Sequence, residues 1–100
     1  MHTPEENFEI ATDESNDREA RESAIGTLET ANECSRLAEL ARMGDLDETY
    51  RELALDGLAH PQCRTRLQQL VDGDDLEGSL RERAESLLDE TPESAGAGPG

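Results

Sequence analysis

The stretches RESAIGTL (residues 21–28), RELALDGL (51–58) and RERAESLL (81–88) decide how this chain reads. They begin 30 residues apart, and Arg, Glu, Ala and Leu hold the same four offsets in all three. The segments between them also correspond: Leu37, Leu40, Asp45 and Leu46 return at the same spacing as Leu67, Leu70, Asp75 and Leu76. An internal period of this length marks a repeat architecture. Within each RExAxxxL stretch Ala and Leu lie one helical turn apart on one face, widened in the second copy by Leu53 and Leu55. Leu37, Leu40 and Ala41, and then Leu67, Leu70 and Val71, repeat the helical spacing. Each period is therefore read as two helices.

The punctuation fits this reading. Thr30-Ala31-Asn32-Glu33 has the form of a capping box that starts a helix after Leu28. Pro61 stands where a first helical residue is expected in the second copy. Gly44-Asp45 and Gly73-Asp74 read as helix ends followed by caps, with Glu48 and Glu77 three residues on. The first break is the weaker, and residues 17–43 as one bent helix is the competing reading. Residues 1–16 form an acidic segment. Thr3-Pro4-Glu5-Glu6 suits a short capping helix, while Phe8 and Ile10 alternate as in an extended docking strand. Residues 91–100, ending PESAGAGPG, read as a disordered tail.

With residues 17–90 read as five helices, the pattern resembles short HEAT-like helical repeats of the phycobilisome-lyase type. In that family one helix of each pair opens with an arginine, preceded six residues earlier by an aspartate that builds a ladder along the stack. Asp45 precedes Arg51 and Asp75 precedes Arg81 at that distance, whereas Ser15 holds the place before Arg21. The resemblance implies an all-α, helical-hairpin solenoid of about two and a half repeats and carries no lyase chemistry, since nothing matches a bilin site. A compact helical bundle is the alternative fold.

Composition bounds the setting. The net charge is −16, from 25 acidic residues against nine arginines, with no lysine. Self-repulsion on that scale destabilises a small domain at low ionic strength. At molar salt the Debye length falls to roughly 3 Å, and the carboxylates then serve to keep the surface hydrated. The expectation is a halophilic, salt-filled cytoplasm; an acidic disordered chain is the alternative, opposed by the periodicity. No stretch is apolar enough to span a membrane and no secretory signal pattern opens the chain. Scattered arginines among so many carboxylates make no phosphate-binding patch, so neither nucleic acid nor membrane is an expected partner.

Catalysis is not expected. The chain has no phosphate loop, no lysine and no GxSxG, and it has two histidines, His2 and His60. No cofactor is assigned. Cys34 and Cys63 are read as free, small buried hydrophobes in a reducing compartment and not as a disulfide framework. The sharper alternative is a metal or redox site using Cys34, Cys63 and His60, with Glu33 as a further ligand. Arg21, Arg51 and Arg81 are read as internal ion pairs to Asp45, Asp75 and neighbouring glutamates, the alternative being a comb for an anionic partner. Tyr50 and Met43 are read as packing residues. A short stack leaves its end helices partly uncovered, which makes Leu80, Leu87 and Leu88, or Phe8 and Ile25, the expected contacts for a protein partner or a second copy. The functional expectation is a small acidic interaction module or adaptor, with a metal-binding or redox-sensing regulator as its rival.

Overall fold

The computed structural model describes residues 3–91, and the expected tail from Pro92 onward lies outside them, as does His2. The described residues are all-helical: α1 (Pro4–Thr12), α2 (Arg18–Thr30), α3 (Cys34–Arg42), α4 (Glu48–Gly57), a 3-10 turn (Pro61–Cys63), α5 (Arg64–Asp72) and α6 (Gly78–Glu90). Residues 17–90 hold the five helices read there, α2–α6, and α1 is the short helix of the acidic segment. Of the two forms open for the N-terminal segment, the helix is the one present. Its cap is the expected box: the Thr3 hydroxyl accepts from the Glu6 amide at 3.1 Å, and the Glu6 carboxylate accepts from the Thr3 amide at 2.9 Å.

The helices pair as α1–α2, α3–α4 and α5–α6, three antiparallel hairpins, each opening with the shorter helix. One layer holds α1, α3 and α5, and the other α2, α4 and α6, with contacts along each layer between successive hairpins. The molecule measures 47 × 32 × 17 Å. Its least dimension suits two helix layers packed at about 8–10 Å. The first hairpin is a full copy of the period: Asn7, Leu37 and Leu67 occupy one position, Ile10, Leu40 and Leu70 another, and all but Ile10 are buried. The first hairpin thus begins in the helix that Thr3-Pro4-Glu5-Glu6 suits, and the described residues form three hairpins.

The breaks differ in chemistry from the expected caps. Thr30 does not open α3; it closes α2, its hydroxyl donating to the Gly26 carbonyl at 3.0 Å. Asn32 takes the left-handed conformation (φ 58°), with its amide bonded to Glu29 O and the Glu33 amide to Leu28 O, both at 3.0 Å. This is a Schellman ending with asparagine in the glycine position, and it excludes one bent helix over 17–43. Inside the hairpins, Asp17 and Asp47 cap α2 and α4 through their side chains, two residues later than read for the second copy. The turns are plugged from within by Leu46 and Leu76; their counterpart Asn16 instead donates to the Ile10 carbonyl at 3.1 Å.

The apolar stripes face between the layers. Ile25, Leu28, Leu37, Leu40, Leu55, Leu58 and Leu67 are fully buried side chains. Gly57 is closely packed, since a Cβ there would meet Leu37 Cδ1 at 3.2 Å and Glu29 Cβ at 3.3 Å. Leu80 and Leu88, expected at an exposed end, are core residues at 4 % and 8 % exposure, and Leu87 is half-buried against them. Ile25 is likewise interior, and Phe8 packs partly on the core. The final helix lays its stripe onto α4 and α5, so no apolar end is left open there. Tyr50 is buried, as read, and Met43 is partly buried beside the core.

Candidate functional site

The two cysteines are joined. Cys34 opens α3, Cys63 closes the 3-10 turn before α5, and their Cα atoms lie 5.3 Å apart in a Cys34–Cys63 disulfide. The expectation of free thiols is overturned by the stack: equivalent ends of neighbouring hairpins are brought side by side, at a spacing that suits the bond. The bond also uses up both thiolates imagined as metal ligands with His60, and no group of three or more His, Cys, Asp or Glu side chains able to hold a metal occurs among the described residues. His60 sits at the start of the turn with its buried Nε2 unpartnered.

The arginine ladder exists, and one rung pairs with a neighbouring glutamate as read, Arg81 Nε with Glu85 at 3.5 Å, but all three rungs bond main-chain carbonyls and none pairs with Asp45 or Asp75. Arg21 Nε donates to Ala11 O and Arg51 Nε to Ala41 O, each at 2.9 Å; Arg81 Nη1 donates to Gly73 O at 3.1 Å. Each guanidinium thus caps the end of the shorter helix in its own hairpin, satisfying a carbonyl that has no partner within that helix. Asp45 and Asp75 are exposed; Asp75 meets Arg51 through its carbonyl, at 3.4 Å from Nη2. Arg21 is the most enclosed rung, at 8 % exposure, with its guanidinium 4.2 Å above the Tyr50 ring. In the first turn, where Ser15 replaces the aspartate, its hydroxyl and amide both donate to Asp13 Oδ1 at 2.7 and 2.9 Å. The hydroxyl bond first, then the amide bond, hold the Asp13 carboxyl below its ordinary value.

Four more arginines are engaged, three of them between elements. Arg18 pairs with Glu22 along α2, Arg36 reaches Glu5 from α3 to α1, and Arg83 forks onto Asp56 between α6 and α4 at 2.8 and 3.0 Å. Arg64 Nε donates to Thr91 O at 3.0 Å, fastening the end of α6 to α5. Of the nine guanidiniums, all lying among the described residues, Arg42 and Arg66 alone make no hydrogen bond, ion pair or ring contact.

Both line the same groove. Ser35, Ala38, Glu39 and Arg42 form one stripe down α3, and Arg66, Gln69 and Leu70 face them from α5, with Asp75 at the far end. The groove encloses about 200 Å³. It exists because the α3 stripe offers Ser35 and Ala38 where larger side chains would fill the space between the helices. A larger depression of about 430 Å³ lies between the first two hairpin turns, beside Arg21, Glu14, Asp45 and Asp47. There the guanidinium is already engaged and three carboxylates surround it, so the α3–α5 groove is the better place for an anionic group. Sequence reading missed Arg42 and Arg66 because an exposed charge on a helix carries no signal of whether a neighbour pairs with it. Comparison with known proteins returns no matching family model, no matching curated protein and no matching solved structure.

Proposed function

We propose that this chain is a small acidic helical-repeat interaction module, built from HEAT-like hairpins, that holds a protein partner in a high-salt cytoplasm. One observation carries the reading: the α3–α5 face keeps a groove with two unengaged guanidiniums, while every other arginine has a partner within the chain. Repeat stacks present such inter-helix surfaces as continuous binding faces. The role is non-catalytic. No helix among the described residues is long and apolar enough to cross a membrane. The acidic surface suits molar salt, where repulsion between two acidic proteins is screened within a few ångströms. The test is a pull-down from the native host with the tagged chain, kept at intracellular salt, followed by mass spectrometry of the intact complex. One reproducible stoichiometric partner supports the module; a bare monomer at every salt concentration refutes it.

The Cys34–Cys63 bond favours a second reading, a redox-sensing regulator. Cytosolic thiols are ordinarily kept reduced, so a disulfide in that compartment either forms on oxidation or resists the reducing pool. Trapping thiols in intact cells with an alkylating mass tag separates the cases. A bond that appears only under oxidant supports sensing, and a permanent bond makes it a structural staple.

A further inference from the structure

We infer that the α3–α5 groove takes an acidic peptide segment of the partner, with two carboxylates gripped by Arg42 and Arg66. The inference rests on the interaction-module reading and adds the chemistry of what is bound. Arg66 occupies the α5 position equivalent to residue 36 of α3, six residues before Arg42. With the hairpins stacked in register, the two residues are offset by about 9 Å along the helix axes and sit on helices packed about 8–10 Å apart, so their backbones are about 12–13 Å from each other. An extended peptide rises about 3.3 Å per residue, so carboxylates about four positions apart reach both. Gln69 lies level with Glu39 between the arginines and Ser35 just beyond Arg66, and they supply amide and hydroxyl groups to a peptide backbone over a floor of Ala38 and Leu70.

The arginines are the right donors for this. A guanidinium left without a partner offers a planar fork that matches a carboxylate with two parallel hydrogen bonds. Glu39 and Asp75 also line the groove, and neither pairs with Arg42 or Arg66. They weaken the attraction for an anion and thereby select for a ligand that can fork both cations at once. The disulfide preorganises the site, since it ties the start of α3, one residue before Ser35, to the segment leading into α5. Preformed walls lower the ordering cost of binding.

The test is an NMR titration of the full-length, ¹⁵N-labelled chain in molar potassium chloride. The probes are a synthetic peptide alternating glutamate and alanine, and the same peptide with glutamine in place of glutamate. The expected result is movement of the Ser35 and Gln69 amides and of the Arg42 and Arg66 Nε–H signals, with the glutamine peptide weaker by at least about tenfold. Arg42→Gln with Arg66→Gln abolishes the response, Arg18→Gln leaves it intact, and Glu39→Gln strengthens it. Equal response to both peptides, shifts elsewhere on the surface, or none at millimolar peptide overturns the inference. Repeating the host pull-down with the Arg42→Gln, Arg66→Gln chain separates the two levels. A partner kept by both baits sinks the groove and spares the module, whereas a partner lost only from the variant supports both.

Discussion

Reducing the Cys34–Cys63 bond is the perturbation whose size can be worked out most directly. The bond closes a loop of sequence separation 29 around the whole second hairpin. Loop-closure entropy for that length is worth about 3.6 kcal/mol of stability at 25 °C. The reduced sulfurs remain in place as small apolar groups, Cys63 fully buried, so core packing changes little. A domain of this size loses about 4–8 °C of Tm per kcal/mol, which puts the reduced form roughly 15–30 °C lower. The assay is thermal unfolding followed by far-UV circular dichroism at one fixed molar salt concentration, with and without a phosphine reductant. Thiol titration in denaturant runs beside it and should find no free thiol before reduction. Melting of the reduced chain within about 5 °C of the oxidised one would show that the closed loop does not constrain the unfolded state, and the reasoning from chain entropy would fail.

Three other perturbations discriminate among the contacts. Arg21→Met removes a hydrogen bond to Ala11 O and the stacking over Tyr50, and should cost about 2–3 kcal/mol in urea unfolding; Arg21→Lys should not rescue it, lacking the planar fork. Gly26 faces open space, so Gly26→Ala should stabilise α2 by about 0.5–1 kcal/mol, whereas Gly57→Leu should destabilise by at least about 2 kcal/mol through its clash with Leu37. The same urea midpoints decide both. Asp13 titrates below 3.8 in the folded chain, so its contribution is present above the unfolded value and lost as pH falls through the folded one. Ser15→Ala should bring its NMR titration midpoint back toward 3.8.

The 30-residue period and the apolar stripes of α2, α4 and α6 are legible because burial between two layers demands Ala and Leu at fixed helical spacing. The first hairpin was harder to see as a copy because its diagnostic leucines are gone: Asn7 stands for Leu37 and Leu67, and Asn16 for Leu46 and Leu76. Asn7 is nonetheless buried at 4 %, and Asn16 replaces the turn's apolar plug with a hydrogen bond. Spacing placed an arginine next to a helix end but could not say whether carboxylate or carbonyl would accept, and the carbonyls, stranded at that end, are nearer. Compartment reasoning hid the disulfide. Register shows it, since residues 34 and 63 fall one position short of a full period and so land on adjoining hairpins.

The arginine rungs have a consequence for how the chain assembles. Each joins residues only eight to ten apart, at Ala11–Arg21, Ala41–Arg51 and Gly73–Arg81. A hairpin can therefore fasten itself before it meets a neighbour, which is the low-contact-order regime of fast folding. The disulfide runs from the start of α3 to the turn leading into α5, so Cys34 and Cys63 come together when the third hairpin docks on the second. The bond therefore comes after docking and not before it: self-fastened hairpins stack first, and oxidation then closes a ring around α3 and α4.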